Sequence, residues 1–463
     1  MSAHPAKGFL SAAQLKEKVS SGEIETVLTV FPDMYGRLMG KRIHGEFFVD
    51  QVVDKGIHAC NYLYTVDMEM DPVPGYEYSN WETGYGDFHC VPDMSTLRVA
   101  DWLDRSAIVF SDSYEESTDT LTPIAPRTIL KKQLENAAAS GFSALGASEL
   151  EYYILDESYS KVRRKGYHNL KYFSSYNEDY HILQGTREEP LNAAARRSLS
   201  NSGVPVEFSK GECGDGQHEL NIRYAEVLDM ADRHSIFKQC LKDIADSLGL
   251  SVTFMAKLSA ELPGSSCHVH LSLWDRGKGT NLFAGDHKLG PIYGSETFRW
   301  FLGGWMAHAP ELMLFYAPTV NSYKRYQVGS WAPTGLAWSY DNRTASFRVV
   351  GKGSSLRIES RIPGADANPY LMYAASIASG LDGIRNKISP PAMIAGDVYR
   401  TQDLPQVPTT MSAAVTALEE STFAREAFGD DVVEHYLHFF RTESASFDKA
   451  VTDWEKNRYF ERI

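Results

Sequence analysis

LGASELEYYIL, residues 145–155, alternates in the manner of a β-strand and carries two acids on one side. Glu149 and Glu151 are two positions apart, so a strand aims both carboxylates the same way. The same period recurs downstream. In SCHVHLSLWD (266–275), His268 and His270 share a face with Ser266 and Ser272, while Cys267, Val269, Leu271 and Leu273 take the other. In SSLRIESRI (354–362), Arg357, Glu359 and Arg361 share a face opposite Leu356, Ile358 and Ile362. TASFRVV (344–350), VPVEF (204–208), QHELNIRYA (217–225) and SVTFMAKL (251–258) complete the predicted strands. Glu212 and Glu219 flank a glycine-rich turn, GECGDGQHE (211–219), that brings both onto neighbouring strands.

Helical patterns separate these strands. RTILKKQLENAAASG follows Pro126 and stops at Gly141, NAAARRSLSNSG stops at Gly203, and a long pattern covers 226–248. Asn368-Pro369 opens another, with Leu371, Ala374, Ile377, Leu381 and Ile384 on the helical period. The last fifty residues also read as helix. Strands interspersed with helices predict a mixed α/β domain. Ahead of it, IETVLTVF and RLMGKRI around a turn at Asp33–Gly36 predict a hairpin. SDSYEESTDTLTPIAP (111–126) reads as a linker, which puts a boundary near 115–120 and divides the chain into 1–117 and 118–463. The polar stretch 157–190 reads as loop.

At 463 residues the chain is long enough for two domains, and 43% hydrophobic content supplies ample core. The balance of 46 Lys+Arg against 60 Asp+Glu, net −14, argues against a nucleic-acid backbone as partner. Five cysteines without a C-x-x-C pair suit neither a disulfide framework nor a zinc ribbon. The N-terminus lacks an apolar signal core, and no run of about 18 apolar residues occurs, so no membrane span and a cytoplasmic location are expected.

Five carboxylates (Glu149, Glu151, Glu212, Glu219 and Glu359) and His268 on core-type strands repel one another unless a cation joins them. A solvated strand face is the plain alternative, but the period-matched apolar opposite faces argue against it. A mostly oxygen donor set with one imidazole suits Mg²⁺ or Mn²⁺ better than zinc. Arg325, Arg343, Arg348, Arg357 and Arg361 form a second cluster, and arginine captures phosphate and carboxylate with two parallel bonds. Metals with clustered arginine point to phosphoryl transfer. GRLMGKR (36–42) lacks the spacing and the Ser/Thr of a phosphate loop, and His-x-His at 268–270 has no further zinc spacing beside it.

GASELEYYIL, GECGDGQHEL, GSSCHVHLSLW, NSYKRY, APTGLAWSYDNRTASFRV, LRIESRIPGADANPYL and VTDWEKNRYFERI together resemble the glutamine synthetase family, type I-like, over nearly the whole chain. The resemblance implies an α+β protein with an N-terminal β-grasp domain and a large catalytic α/β domain. It also implies a homo-oligomer, usually a dodecamer, with sites between subunits. The implied chemistry is activation of glutamate by ATP to γ-glutamyl phosphate, which a nitrogen nucleophile attacks. By the same resemblance Glu151, Glu212 and Glu219 match the ligands of one metal ion, and Glu149, His268 and Glu359 those of a second. Glu207, Tyr224, His270, Ser272 and Arg357 fall at ATP-contacting positions. Arg325 and Arg361, with Gly264 beside them, match the glutamate clamp. Arg343 and Arg348 match the residues that neutralise the transferring phosphoryl group.

Two departures concern the nitrogen donor. The family's flap carries a glutamate before Ala-Pro, whereas GSWAP (329–333) places Trp331 there. An ammonium-binding aspartate is expected within GIHACNYLY (56–64), where Cys60 or Asn61 stands instead. DVYRTQDLP (397–405) also departs from the family's adenylylation motif. Ammonium needs carboxylates to replace its water and take its proton, whereas an apolar amine gains about 25 cal/mol per Å² packed against an indole. By analogy with lysine, only roughly one alkylamine molecule in 2,500 is neutral at pH 7, so a base such as Glu212 is needed. The expected activity is therefore an ATP-dependent ligase joining glutamate to an organic primary amine (alkyl, aryl or amino-alcohol). A polyamine, served by Asp67, Glu69, Asp71 or Glu82, is the nearest alternative. Ordinary ammonia-using synthesis, a non-catalytic relative and a metal hydrolase are the others.

Overall fold

A computed structural model describes residues 7–463. The first sheet is built from β1 (Thr26–Pro32), β2 (Leu38–His44), β3 (Ile57–Cys60), β4 (Asp87–Pro92), β5 (Arg98–Val99) and β6 (Ser106–Glu115). Its order is β2-β1-β6-β4-β3, with β5 also on β6, and β1 and β6 run parallel. Alternation along these strands separates two apolar layers. Val27, Ala107 and Val109 join a cluster with Leu15, Phe48 and Val52 of the flanking helices, while Leu28, Val30, Ile108 and Phe110 enter the main core. This near-closed sheet packed on helix fits a β-grasp domain.

The second sheet has nine strands. They are β7 (Phe142–Leu155), β8 (Val206–Gly211), β9 (Gln217–Ile222), β10 (Ala225–Glu226), β11 (Ser251–Thr253) and β12 (Cys267–Asp275). After a separate hairpin of β13 (His287–Leu289) and β14 (Ile292–Gly294) come β15 (Trp338–Tyr340), β16 (Phe347–Val350) and β17 (Arg357–Ser360). The order is β15-β16-β17-β12-β7-β9-β8, with β10 and β11 also on β7. One face of this sheet is apolar and buried, carrying Leu150, Val269, Leu271 and Ile358 into the core. Helices Pro126–Ala139, Val227–Ser247 and Pro369–Asn386 supply its cover. Pro126 and Pro369 both open their helices, where a missing N–H costs nothing. The class is α+β.

Three expectations change. The segment expected to be a linker is in its first part the end of β6, which runs to Glu115. Its polarity reflects buried partners rather than water: Ser113 Oγ meets the Tyr64 hydroxyl at 2.7 Å, and Asp112 pairs with Arg127 and Lys131. The stretch 157–190 contains two short helices, Tyr159–Arg164 and Ile182–Arg187. Of SVTFMAKL only Ser251–Thr253 is strand. Among the described residues, no helix is long and apolar enough to cross a membrane.

The two sheets are tied together by charge. Buried Arg127 reaches Asp93 (2.8 Å) and Asp112 of the first sheet region and Asp232 (3.1 Å) of the long helix behind the second. Asn368, which caps the helix Pro369–Asn386, donates its amide to the carbonyls of Asp33 and Met34 in the β1–β2 turn. Gly36 in that turn has φ 78°, and a Cβ there would come within 3.1 Å of Asn368 Cα.

Candidate active site

Four antiparallel strands set the site by register. His268 of β12 lies opposite Glu149 of β7, and His270 lies opposite Glu359 of β17. Glu151 of β7 lies opposite Glu219 of β9. Period-two alternation then gathers these side chains on the polar face. His268 Nδ1 is 2.9 Å and His270 Nε2 3.1 Å from the two oxygens of Glu149, and His268 Nδ1 is 3.7 Å from Glu359. Two groups of donor atoms lie within 4.8 Å of one another: Glu149, His270 and Glu359, and separately Glu151, Glu212 and Glu219. The sequence singled out His268 for the first group; the fold brings both histidines to it.

Crowding polarises the carboxylates. Burial and the nearby Glu212 raise Glu151 to about 7, and burial with Glu149 and Glu212 raises Glu219 to about 10. Burial also pushes Glu149 upward, but hydrogen bonds from His268 and His270 hold it well below the usual range. Against burial, His270 and Arg361 bring Glu359 down to about 2. Burial, aided by Arg361, lowers His268 to about 4. A set in which neighbouring carboxylates resist ionising together fits a bound divalent cation, and its oxygen-rich composition fits Mg²⁺ or Mn²⁺.

The arginines converge on the same face. Arg348 and Arg361 reach the two oxygens of Glu359 at 2.8 and 2.7 Å. Arg325 is buried and donates to the carbonyls of Arg361, Ile362 and Pro363, which fixes its guanidinium. Gly264 is required beside it, because a Cβ there would come within 2.6 Å of Arg325 Cγ.

Two adjoining cavities open on this face and share Glu149, Phe208 and Arg348. The smaller, about 380 Å³, is lined by Glu149, Glu151, Glu212, Glu219, His268, Gly264, Arg325, Arg343, Arg348, Arg361 and Trp331. The larger, about 740 Å³, is lined by Glu207, Tyr224, His270, Ser272 and Arg357 among others. Glu359 is fully buried behind both. Cys60, Asn61, Asp67, Glu69, Asp71 and Glu82 line neither cavity of their own chain. Asp67 instead accepts from the backbone of Glu69 and Asp71.

Sequence reading missed Asp179, Tyr180, Phe208, Lys210 and Gln217, which also line the smaller cavity. Lys210 was open to detection: it stands two residues before Glu212, on the same side of an extended segment. Asp179 and Tyr180 carried no periodic signal.

A profile for the glutamine synthetase catalytic domain matches residues 123–459, and the chain belongs to the glutamine synthetase family. It is therefore a ligase-family protein. Among its relatives is the gamma-glutamylethanolamide synthetase GlnA4 of Streptomyces coelicolor, 45% identical over 98% of this chain and 96% of the relative. The glutamate–isopropylamine ligase of a Pseudomonas species is 34% identical over 97% of this chain and 98% of its own. The structure of an ADP complex of GmaS superimposes with a TM-score of 0.84 at 29% identity, covering 97% of this chain and 99% of that one.

Proposed function

We propose that the chain is an ATP-dependent ligase that joins the γ-carboxyl of glutamate to an organic primary amine, giving a γ-glutamylamide, ADP and phosphate. The observation that carries this reading is Trp331. Its indole lines the cavity that holds Glu212 and Arg343, where the family resemblance calls for a glutamate. The names of the relatives, a γ-glutamylethanolamide synthetase and a glutamate–isopropylamine ligase, support the same class.

In this reading the larger cavity holds ATP against Glu207, Tyr224, His270, Ser272 and Arg357. Glu151, Glu212 and Glu219 hold one divalent cation, and Glu149, His268 and Glu359, with His270 in reach, hold another. Such cations, Mg²⁺ or Mn²⁺, neutralise polyphosphate charge. Arg325, Arg361 and Gly264 position glutamate, whose γ-carboxylate oxygen attacks the terminal phosphorus as ADP leaves. Arg343 and Arg348 offset the charge of the transferring phosphoryl group. The amine nitrogen then attacks the acyl carbon, phosphate leaves, and Glu212 accepts the proton the amine must shed. Trp331 covers the amine's carbon substituent.

The polyamine alternative calls on Asp67, Glu69, Asp71 or Glu82, which line neither cavity of their own chain and would serve a neighbouring subunit's site. The boundary near residue 117 and a homo-oligomer, a dodecamer by resemblance, belong to the same proposal. So does a cytoplasmic setting, which suits five free cysteines. The test is product mass spectrometry after incubation with glutamate, ATP and, in turn, ammonia, ethylamine, ethanolamine, aniline and putrescine. γ-Glutamylamides of the organic monoamines support the reading; glutamine as the main product overturns it.

A further inference from the structure

We infer that the protonated acceptor amine docks where the Lys210 ammonium rests, between the carboxylates of Asp179 and Glu212, and that Asp179 is the acid that selects it. This rests on the ligase reading above. Lys210 lies on β8 with its side chain 15% exposed in the wall of the smaller cavity. Its Nζ pairs with Glu212, stands 3.4 Å from Asp179 Oδ1 and 3.3 Å from the Gly211 carbonyl, and sits 4.4 Å from the Tyr180 ring centre. A primary ammonium has three N–H donors and a charge that favours an aromatic face. The shell around Lys210 answers both needs.

A lysine side chain is chemically an alkylammonium, so the pocket already holds the head group of the proposed substrate class. Phe208 and Trp331 line the same cavity and offer apolar surface to the carbon chain of an incoming amine. Ammonia has the head but no chain, and gains nothing from those two side chains in displacing a tethered competitor. Lys210 thus acts as an internal rival that a carbon-bearing amine outbids.

Asp179 is held for this task by its neighbour. Glu178 is fully buried, its Oε2 is 3.0 Å from His218 Nε2, and Glu188 pairs with the same nitrogen. The amides of Glu178 and Tyr180 donate to the carbonyls of Glu212 and Gly211, stitching the loop to the end of β8. Gly211 lacks a side chain where a Cβ would lie 2.7 Å from the Glu178 carbonyl oxygen. Glu212 is shared with the buried Glu151 and Glu219, whereas Asp179 stands about one-third exposed at the cavity mouth, with Lys210 Nζ 3.4 Å from one oxygen and Cys213 Sγ 3.6 Å from the other, and so meets an incoming amine first.

The test is steady-state kinetics of the full-length enzyme with ethanolamine, ATP and glutamate varied in turn. Asp179→Asn is expected to raise the ethanolamine KM about tenfold or more while the ATP and glutamate KM values stay within about twofold. Asp179→Glu, which keeps the charge, is expected to recover most of that loss. Lys210→Met is expected to lower the ethanolamine KM, an effect in the opposite direction that a merely structural lysine would not give. An unchanged ethanolamine KM in Asp179→Asn, or a raised one in Lys210→Met, overturns the inference. Failure to form an amide with any amine in the wild type overturns the ligase reading instead, so the two failures are told apart.

Discussion

Arg348 and Glu359 stand opposite each other in the β16–β17 ladder and are joined by an ion pair of 2.8 Å. With Arg361 on its other oxygen, Glu359 is a fully buried carboxylate held ionised between two arginines. A group so placed is part of the proposed cation group and ties it to Arg348 and Arg361. Glu359→Gln keeps the shape but removes the charge, and is expected to cut ADP release with every amine by about a hundredfold or more. Turnover within about tenfold of wild type, measured by a coupled ADP assay, would reject the site assignment.

Trp331 is exposed over 59% of its surface and has φ 64°, so it stands in a loop whose backbone holds it at the cavity rim. Trp331→Glu is expected to raise the kcat/KM ratio of ammonia to ethanolamine by roughly tenfold, because a carboxylate favours the small cation and the lost indole disfavours the chain. The comparison is made on one enzyme preparation at fixed pH. An unchanged ratio would show that the indole is not the selector.

His435 is buried against Tyr76 and Tyr436, and burial lowers it to about 3. The unfolded chain takes up this proton near pH 6.5, while the folded chain takes it up only near the lower value. The stability this supplies is present above about pH 6.5 and is lost as pH falls below it, by up to about 1.4 kcal/mol per unit. Urea midpoints between pH 7 and 5 should therefore fall, and His435→Phe should flatten the slope. An equal slope in the variant would place the pH dependence elsewhere.

Arg127 carries the charge link between the two sheets. Arg127→Met leaves Asp232 and Asp112 buried without their guanidinium and is expected to cost about 3–5 kcal/mol. Denaturant titration measures it. A loss below about 1 kcal/mol would mean that the network is solvated in the folded chain.

The polar face of the second sheet was legible in sequence wherever one strand contained both halves of the contrast. Cys267, Val269, Leu271 and Leu273 are buried while His268 and His270 meet Glu149, as the period of two requires. Ser111–Glu115 misled because polarity there serves buried bonds to Tyr64, Arg127 and Lys131, which only tertiary packing supplies. Asp179 reaches the cavity through a loop anchored by Glu178 on His218, a contact spanning 40 positions that no local pattern encodes. The pairing of both histidines with Glu149 likewise depends on the β7–β12 register rather than on either strand alone.

The most direct measurement is kcat/KM for ethanolamine and for ammonia on the same purified enzyme with saturating ATP, glutamate and Mg²⁺, each product identified by mass. The expected result is a higher kcat/KM for ethanolamine, with γ-glutamylethanolamide as its product. A higher kcat/KM for ammonia, with glutamine accumulating, would contradict the account.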